Sequence, residues 1–168
     1  MPFRSVNRPG QAGYQPGMQR HHLLPKQLLS QGKFKKLFGV LGQDRIGFDD
    51  FRRNGLLLPA IELTSLRLGM PLHRGPHRAY NEVVAERIHQ IEAGWAKARA
   101  FSSDLAAGQA IMRLGLLQSA LRRRLLAPRR HRLTLNSKDP VGQGIDFSAL
   151  DAMAEALWEE TEVPSAPA

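Results

Sequence analysis

Between Pro76 and Pro128 apolar residues recur at helical spacing, and this run limits the fold more than any other part of the chain. Tyr80, Val84, Ile88, Ile91 and Trp95 fall three or four residues apart and line one face of a helix through about residue 99. Ala110, Leu114, Leu117, Leu121 and Leu125 repeat the pattern in a second helix, predicted to run from Asp104, as N-cap, to Pro128. Each helix carries an apolar face that needs a partner, so the two are expected to pack together. At 168 residues the chain has room for one domain with a real core.

Upstream the pattern is shorter and mixed. Residues 1–19, rich in Gly, Pro and Gln, have too few apolar side chains to order themselves and are expected to form a disordered, mobile arm. An extended segment around His21 to Leu24 ends at Pro25, which disfavours helix in the residue before it. Lys33 to Leu41 reads as a short amphipathic helix, with Phe34, Leu37, Phe38 and Leu41 on one face and Gly42 as its stop. Asn54-Gly55 is a turn signal, Leu56-Leu57-Leu58 a buried strand closed by Pro59, and residues 60–68 a helix ending at Gly69. Beyond the long helices, Phe147 to Trp158 predicts a last amphipathic helix. The chain thus divides into an arm (1–19), a core (20–100), a helical extension (101–160) and a disordered tail (161–168), in a mostly helical α+β class.

Cysteine is absent, which excludes disulfides, thiolate metal sites and a thiol nucleophile. A transition metal has to sit on histidine and carboxylate. No stretch has the length and apolarity of a signal region or a membrane span, so the default expectation is a cytoplasmic protein, with any export left to another domain or a partner. All 24 Lys and Arg but only 8 of the 15 acids lie in residues 1–138, leaving net +16 there and −7 in residues 139–168. Such a body suits a polyanion through phosphate neutralisation, although the same charge also serves solubility alone.

Four of the six histidines fall into two close pairs, His21-His22 and His73-x-x-x-His77, with Asn54 between them. His73 and His77 form a two-point metal grip if both lie on one helix. Gly75-Pro76 offers the alternative that His73 enters from a loop and His77 sits on the first helical turn, where free N–H groups favour phosphate. His21-His22 lies on an extended segment whose successive side chains point to opposite sides, so one is available for metal and the other for substrate, unless both are simply exposed. Lys26, Arg74 and Arg78 are candidate phosphate contacts. Arg122 to Arg124 with Arg129, Arg130 and Arg132 form a second basic cluster, either binding or merely solvated. His89 and His131 read as surface residues, Trp95 and Trp158 as core. Tyr80 either packs beneath the site or touches substrate.

The series His21-His22-Leu23-Leu24-Pro25, Asn54-Gly55-Leu56-Leu57-Leu58-Pro59 and His73-Arg74-Gly75-Pro76-His77-Arg78-Ala79-Tyr80-Asn81 resembles the HNH/endonuclease VII superfamily, in its AHH branch. Arg20 stands where that branch has the alanine of its name. The resemblance implies a ββα-metal finger of two strands and a helix packed against the long C-terminal helices, gripping one divalent cation over a scissile phosphodiester. It implies His21, His73 and His77 as metal ligands and His22 as the general base. Asn54 would orient His22 through a hydrogen bond or brace the finger loop.

The residue types suit that chemistry: a metal offsets growing phosphoryl charge while a histidine takes the proton of water. Three histidines leave positions open, as in a catalytic site. Zinc suits imidazole and magnesium prefers oxygen, and Mg, Zn, Mn and Ni are not distinguished. The expected function is a metal-dependent DNA endonuclease. Alternatives are a non-catalytic nucleic-acid-binding module with a structural metal, or a helical protein-interaction domain. If the chain is a toxin, as some relatives are, an immunity protein would be its partner.

Overall fold

The computed structural model describes residues 1–133 and 135. Two short strands, β1 (Met18–His22) and β2 (Gly55–Pro59), pair antiparallel with His21 opposite Leu56 and His22 opposite Gly55. Between them lie two 3-10 turns, Lys26–Ser30 and Gly32–Phe34, and the helices α1 (Lys35–Leu41), α2 (Gln43–Ile46) and α3 (Phe51–Asn54). After β2 come α4 (Glu62–Leu68), α5 (Arg78–Ala98) and α6 (Ser103–Leu125). The class is α+β and mostly helical, as expected.

The core follows the periodicity. Tyr80, Val84, Ile88, Ile91 and Trp95 of α5 are all buried, and α5 packs along α6, whose Ala110, Leu114, Leu117 and Leu121 are buried too. The same apolar cluster takes in Leu23, Leu24, Phe34, Leu37, Leu41 and Phe48, so the α5–α6 pair supports the finger from behind. Ser102, rather than Asp104, caps α6: its backbone is extended, and its hydroxyl accepts the Leu105 N–H at 3.4 Å. Asp104 falls instead in the first turn, where its charge complements the helix dipole. Gly69 ends α4 with φ +61°, the left-handed geometry that lets its N–H reach the Leu66 and Ser65 carbonyls.

Asn54-Gly55 is not an exposed hairpin turn. Asn54 closes α3 with 0% exposure, and its side chain faces inward. Its Nδ2 donates to the carbonyls of Leu24 and Phe48, each at 3.2 Å, while Oδ1 accepts from Leu24 N–H at 2.7 Å and from Gln118 Nε2 at 3.3 Å. Its own carbonyl accepts the Leu23 N–H at 2.8 Å. One residue thereby ties the end of β1, the loop before α3 and α6 together. Gly55 is required next to it: a Cβ there would lie 2.2 Å from the Phe51 ring.

The N-terminal segment is a correction to the mobile arm. Phe3 is buried, its N–H donates to the Asp49 carbonyl at 3.1 Å, and Pro2 bridges Asp50. Asn7 Nδ2 donates to the Gln15 and Met18 carbonyls at 3.1 and 2.9 Å, pinning the loop that leads into β1. These residues do not order themselves; they are ordered by docking onto β1 and the start of α3. The extended segment likewise sits earlier than expected, at Met18–His22 rather than His21 to Leu24.

The second basic cluster is dispersed by its packing. Arg122 donates to the carbonyls of Arg52 and Arg53 at 2.7 and 3.2 Å, at the C-terminal end of α3. Arg124 and Arg132 are buried, Arg132 bonding the Gly69 carbonyl, while Arg123 and Arg130 are exposed. The expected helix Phe147 to Trp158, the acidic end and the tail 161–168 lie outside the described residues. Among the described residues no helix is long and apolar enough to cross a membrane.

Asn54→Ala leaves several buried backbone groups unpaired and is expected to cost about 3 kcal/mol of stability. Urea denaturation checks this: the midpoint falls at an unchanged slope, and a wild-type midpoint would remove Asn54 as the brace.

Candidate metal centre

Three segments bring His21, His73 and His77 to one point. β1 presents the His21 side chain inward, where it is 3% exposed. His73 arrives on the loop after α4, its N–H bonded to the Pro59 carbonyl at 2.7 Å, and Gly75 turns the chain at φ +77°. His77 is the N-cap of α5, not an interior helical residue. The loop-entry alternative for His73 is therefore the one realised, because Gly75-Pro76 keeps helix from starting before Arg78. The ring centroids stand 5.1 Å (His21–His73), 5.6 Å (His21–His77) and 4.8 Å (His73–His77) apart. One ligand atom from each lies within 4.8 Å of the other two.

Hydrogen bonds on the far sides of two rings define which nitrogen is free. His77 Nδ1 lies 3.2 Å from the Leu135 carbonyl, which only accepts, so Nδ1 carries the proton and the Nε2 lone pair stays open. Gln19 Oε1 does the same for His73 Nδ1 at 3.0 Å. His21 Nε2 is buried with no hydrogen-bond partner among the described residues. A buried unpaired nitrogen is costly unless something occupies it. A divalent ion fits the donor set, because three neutral imidazoles, joined by no carboxylate among the described residues, suit a borderline metal and leave it positively charged toward an anion.

The electrostatics keep the rings neutral. Burial pushes the His21 imidazole well below its usual value, aided by His73, His77 and His22. Burial likewise lowers His73 to about 4, with His77 and His22 adding to the effect. His77 is lowered by burial, and the Leu135 carbonyl opposes that shift. Neutral imidazole is the form that binds metal, so the donors are ready at pH 7.

His22, the last residue of β1, is half-buried beside this cluster. Burial lowers it to about 4, Lys26 and Arg20 push in the same direction, and Asp49 opposes them. Its Nε2 too is buried without a partner among the described residues. Of the two roles expected for Asn54, the hydrogen bonds to Leu24 and Phe48 are those of a loop brace. Tyr80 packs beneath the site: it is fully buried, its hydroxyl donates to the Leu23 carbonyl at 2.7 Å, and its ring stands edge-on 5.1 Å from His21.

Around the cluster, Lys26, Arg74 and Arg78 are exposed. Lys26 pairs with Asp49 at 3.6 Å and Arg74 with Glu62 at 3.8 Å, surface pairs weak enough to exchange for a phosphate. An open groove beside His77 is lined by the cations Lys33 and Arg78, the amides Gln27, Gln31 and Asn81, one acid, Glu82, and the apolar Pro76 and Ala85. His89 and His131 are exposed and Trp95 is core, as expected; Trp158 lies outside the described residues. Gln19 and the Leu135 carbonyl carry no sequence signal for their roles, since a glutamine two residues before a histidine and a backbone oxygen 58 positions away look like any others.

Residues 2–115 match the family model described as AHH, a nuclease family of the HNH/ENDO VII superfamily with conserved AHH, and the chain belongs to that family. It is thus a nuclease, of a superfamily that uses a divalent metal and acts on nucleic acid. No curated protein and no solved structure matches it.

The histidine shifts set a pH window. With chelator present, the unfolded chain binds protons near 6.5 that the fold resists until about 4, so stability is complete above 6.5 and is lost as pH falls toward 4. A thermal melt at steps across that window is expected to show Tm falling steadily on acidification. A divalent ion added at pH 7.5 raises Tm, and the gain is expected to shrink as pH falls toward 4, where the histidines of the fold begin to protonate. A Tm insensitive to metal at pH 7.5 would contradict the site.

Proposed function

We propose that this chain is a metal-dependent endonuclease that hydrolyses phosphodiester bonds in DNA, with His21, His73 and His77 holding one divalent ion and His22 acting as general base. The observation that carries this reading is the convergence of three neutral imidazoles, with no carboxylate among the described residues in the group, next to His22, the neighbour of His21 on β1. A divalent ion bound there supplies positive charge against the phosphoryl and leaving oxygens.

The chain's own residues do the rest. His22 is neutral at pH 7, so its ring nitrogen is able to take the proton of an attacking water. Arg78 and the first turn of α5 lie next to His77, where a cation and free N–H groups favour an anionic substrate. Lys26 and Arg74 contact flanking phosphates by leaving their surface acids, and the open groove beside His77, with Lys33 and Arg78 on its wall, gives a strand a path away from the cleaved bond. The excess of positive charge in residues 1–138 draws the polyanion in.

Plasmid cleavage across Mg, Mn, Zn and Ni tests this. Wild type is expected to nick or cut only with a divalent ion. His22→Ala is expected to lose about 10²- to 10⁴-fold in rate while keeping metal affinity, the usual contribution of a positioned base. His77→Ala loses both cleavage and metal affinity. Wild-type cutting by His22→Ala would end its assignment as base, and no cleavage with any metal would sink the DNA endonuclease reading.

A further inference from the structure

A general base is normally oriented by a hydrogen bond to its second nitrogen. His22 has none among the described residues, and the Asn54 side chain bonds Leu24 and Phe48 instead. What does touch the His22 ring is Phe3. The two rings lie face to face, centroids 3.6 Å apart and planes 2° from parallel.

Phe3 is itself fixed. Behind it stands Phe51, edge-on at 5.2 Å and 73°. Phe51 rests directly on Gly55, the strand partner of His22, where no side chain fits. The packing therefore runs in a closed circuit from His22 through Phe3 and Phe51 to Gly55 and back across the sheet. The Phe3 backbone is held from both sides, its N–H by the Asp49 carbonyl at 3.1 Å and its carbonyl by Arg20 Nη1 at 2.8 Å. Arg20 is the residue that stands in place of the branch's alanine, so this chain's departure from the pattern is part of the clamp.

We propose that Phe3 is a positioning residue for His22, its ring locking the imidazole plane so that the proton-accepting nitrogen is held in one orientation. A face-to-face stack suits this role because it restricts rotation about χ2 while leaving both in-plane nitrogens unused. A hydrogen-bonding partner would occupy one nitrogen. The inference rests on the reading of His22 as base, and it makes the N-terminal segment a working part of the site.

Single-turnover cleavage of a DNA duplex at saturating metal tests it, using Phe3→Ala, Phe3→Leu and Phe3→Tyr, each alone and combined with His22→Ala. Phe3→Leu keeps apolar volume without a flat face, which separates lost stacking from a loosened fold. Both Phe3→Ala and Phe3→Leu are expected to lower the maximal rate by about 10- to 100-fold, the scale of a slight misplacement of a reacting group. Metal affinity and half-saturating DNA concentration stay at wild-type values, and Phe3→Tyr restores the rate. On the His22→Ala background the Phe3 changes are expected to cause no further loss, because the two residues act as one unit. Wild-type rates in Phe3→Ala and Phe3→Leu would overturn the inference, as would a full loss repeated on the His22→Ala background. If His22→Ala itself cuts at the wild-type rate, the base assignment falls first, and the two failures are told apart by that single variant.

Discussion

The buried amide of Asn54 is the interaction on which the rest depends. It sits at 0% exposure with its donor and acceptor atoms all engaged, to the Leu24 backbone just past β1, to the Phe48 carbonyl before α3 and to Gln118 of α6. A loop this deep in an apolar cluster would otherwise strand backbone N–H and carbonyl groups, each costing roughly 1–3 kcal/mol. With those groups paired, β1 leaves the sheet at one defined place. That place fixes His21 and His22, and through Tyr80 and Leu23 it fixes α5 beneath them. The amide thus acts on the site from a distance, by deciding where the strand stops.

What the brace positions is a set of side chains that prefer to be neutral. Burial disfavours the imidazolium form of His21, His73 and His77, and among the described residues no carboxylate joins the group to reverse that. In an enzyme whose substrate is an anion this has a simple consequence. A carboxylate-bearing site would offset the charge of its own metal, whereas an all-imidazole site leaves that charge for phosphate. The partners of the His73 and His77 rings are an uncharged amide and a backbone carbonyl, so the rings are oriented without adding negative charge.

Much of this was legible in the sequence because the relevant signals are local. The helical spacing from Tyr80 to Trp95 and from Ala110 to Leu125 needs only the next turn to be read, and both stretches are helices with those faces buried. The order of the histidine blocks pointed to one cluster, and three of the four histidines meet in it. The errors share one cause. The N-terminal segment looked unable to order itself, and by its own contacts it cannot; Phe3 is buried only because β1 and α3 stand ready to receive it. Asn54-Gly55 reads as a turn because its buried partners Leu24 and Gln118 are 30 and 64 residues away. Six arginines near the end of α6 looked like one patch, yet two are buried and one binds the carbonyl end of α3.

By itself, then, the sequence determined the helical periods, the absence of thiol chemistry, the basic balance and the set of imidazoles available for a metal. These depend on residue identity and on neighbours within a few positions. Tertiary structure alone decided which histidine enters from a loop, which ring nitrogens are free, and that a phenylalanine near the N-terminus stacks on His22. Those outcomes depend on contacts between segments far apart in the chain, such as His77 with Leu135 and Phe3 with Asp49. No local spacing encodes such contacts, because they form only once the core has placed both partners.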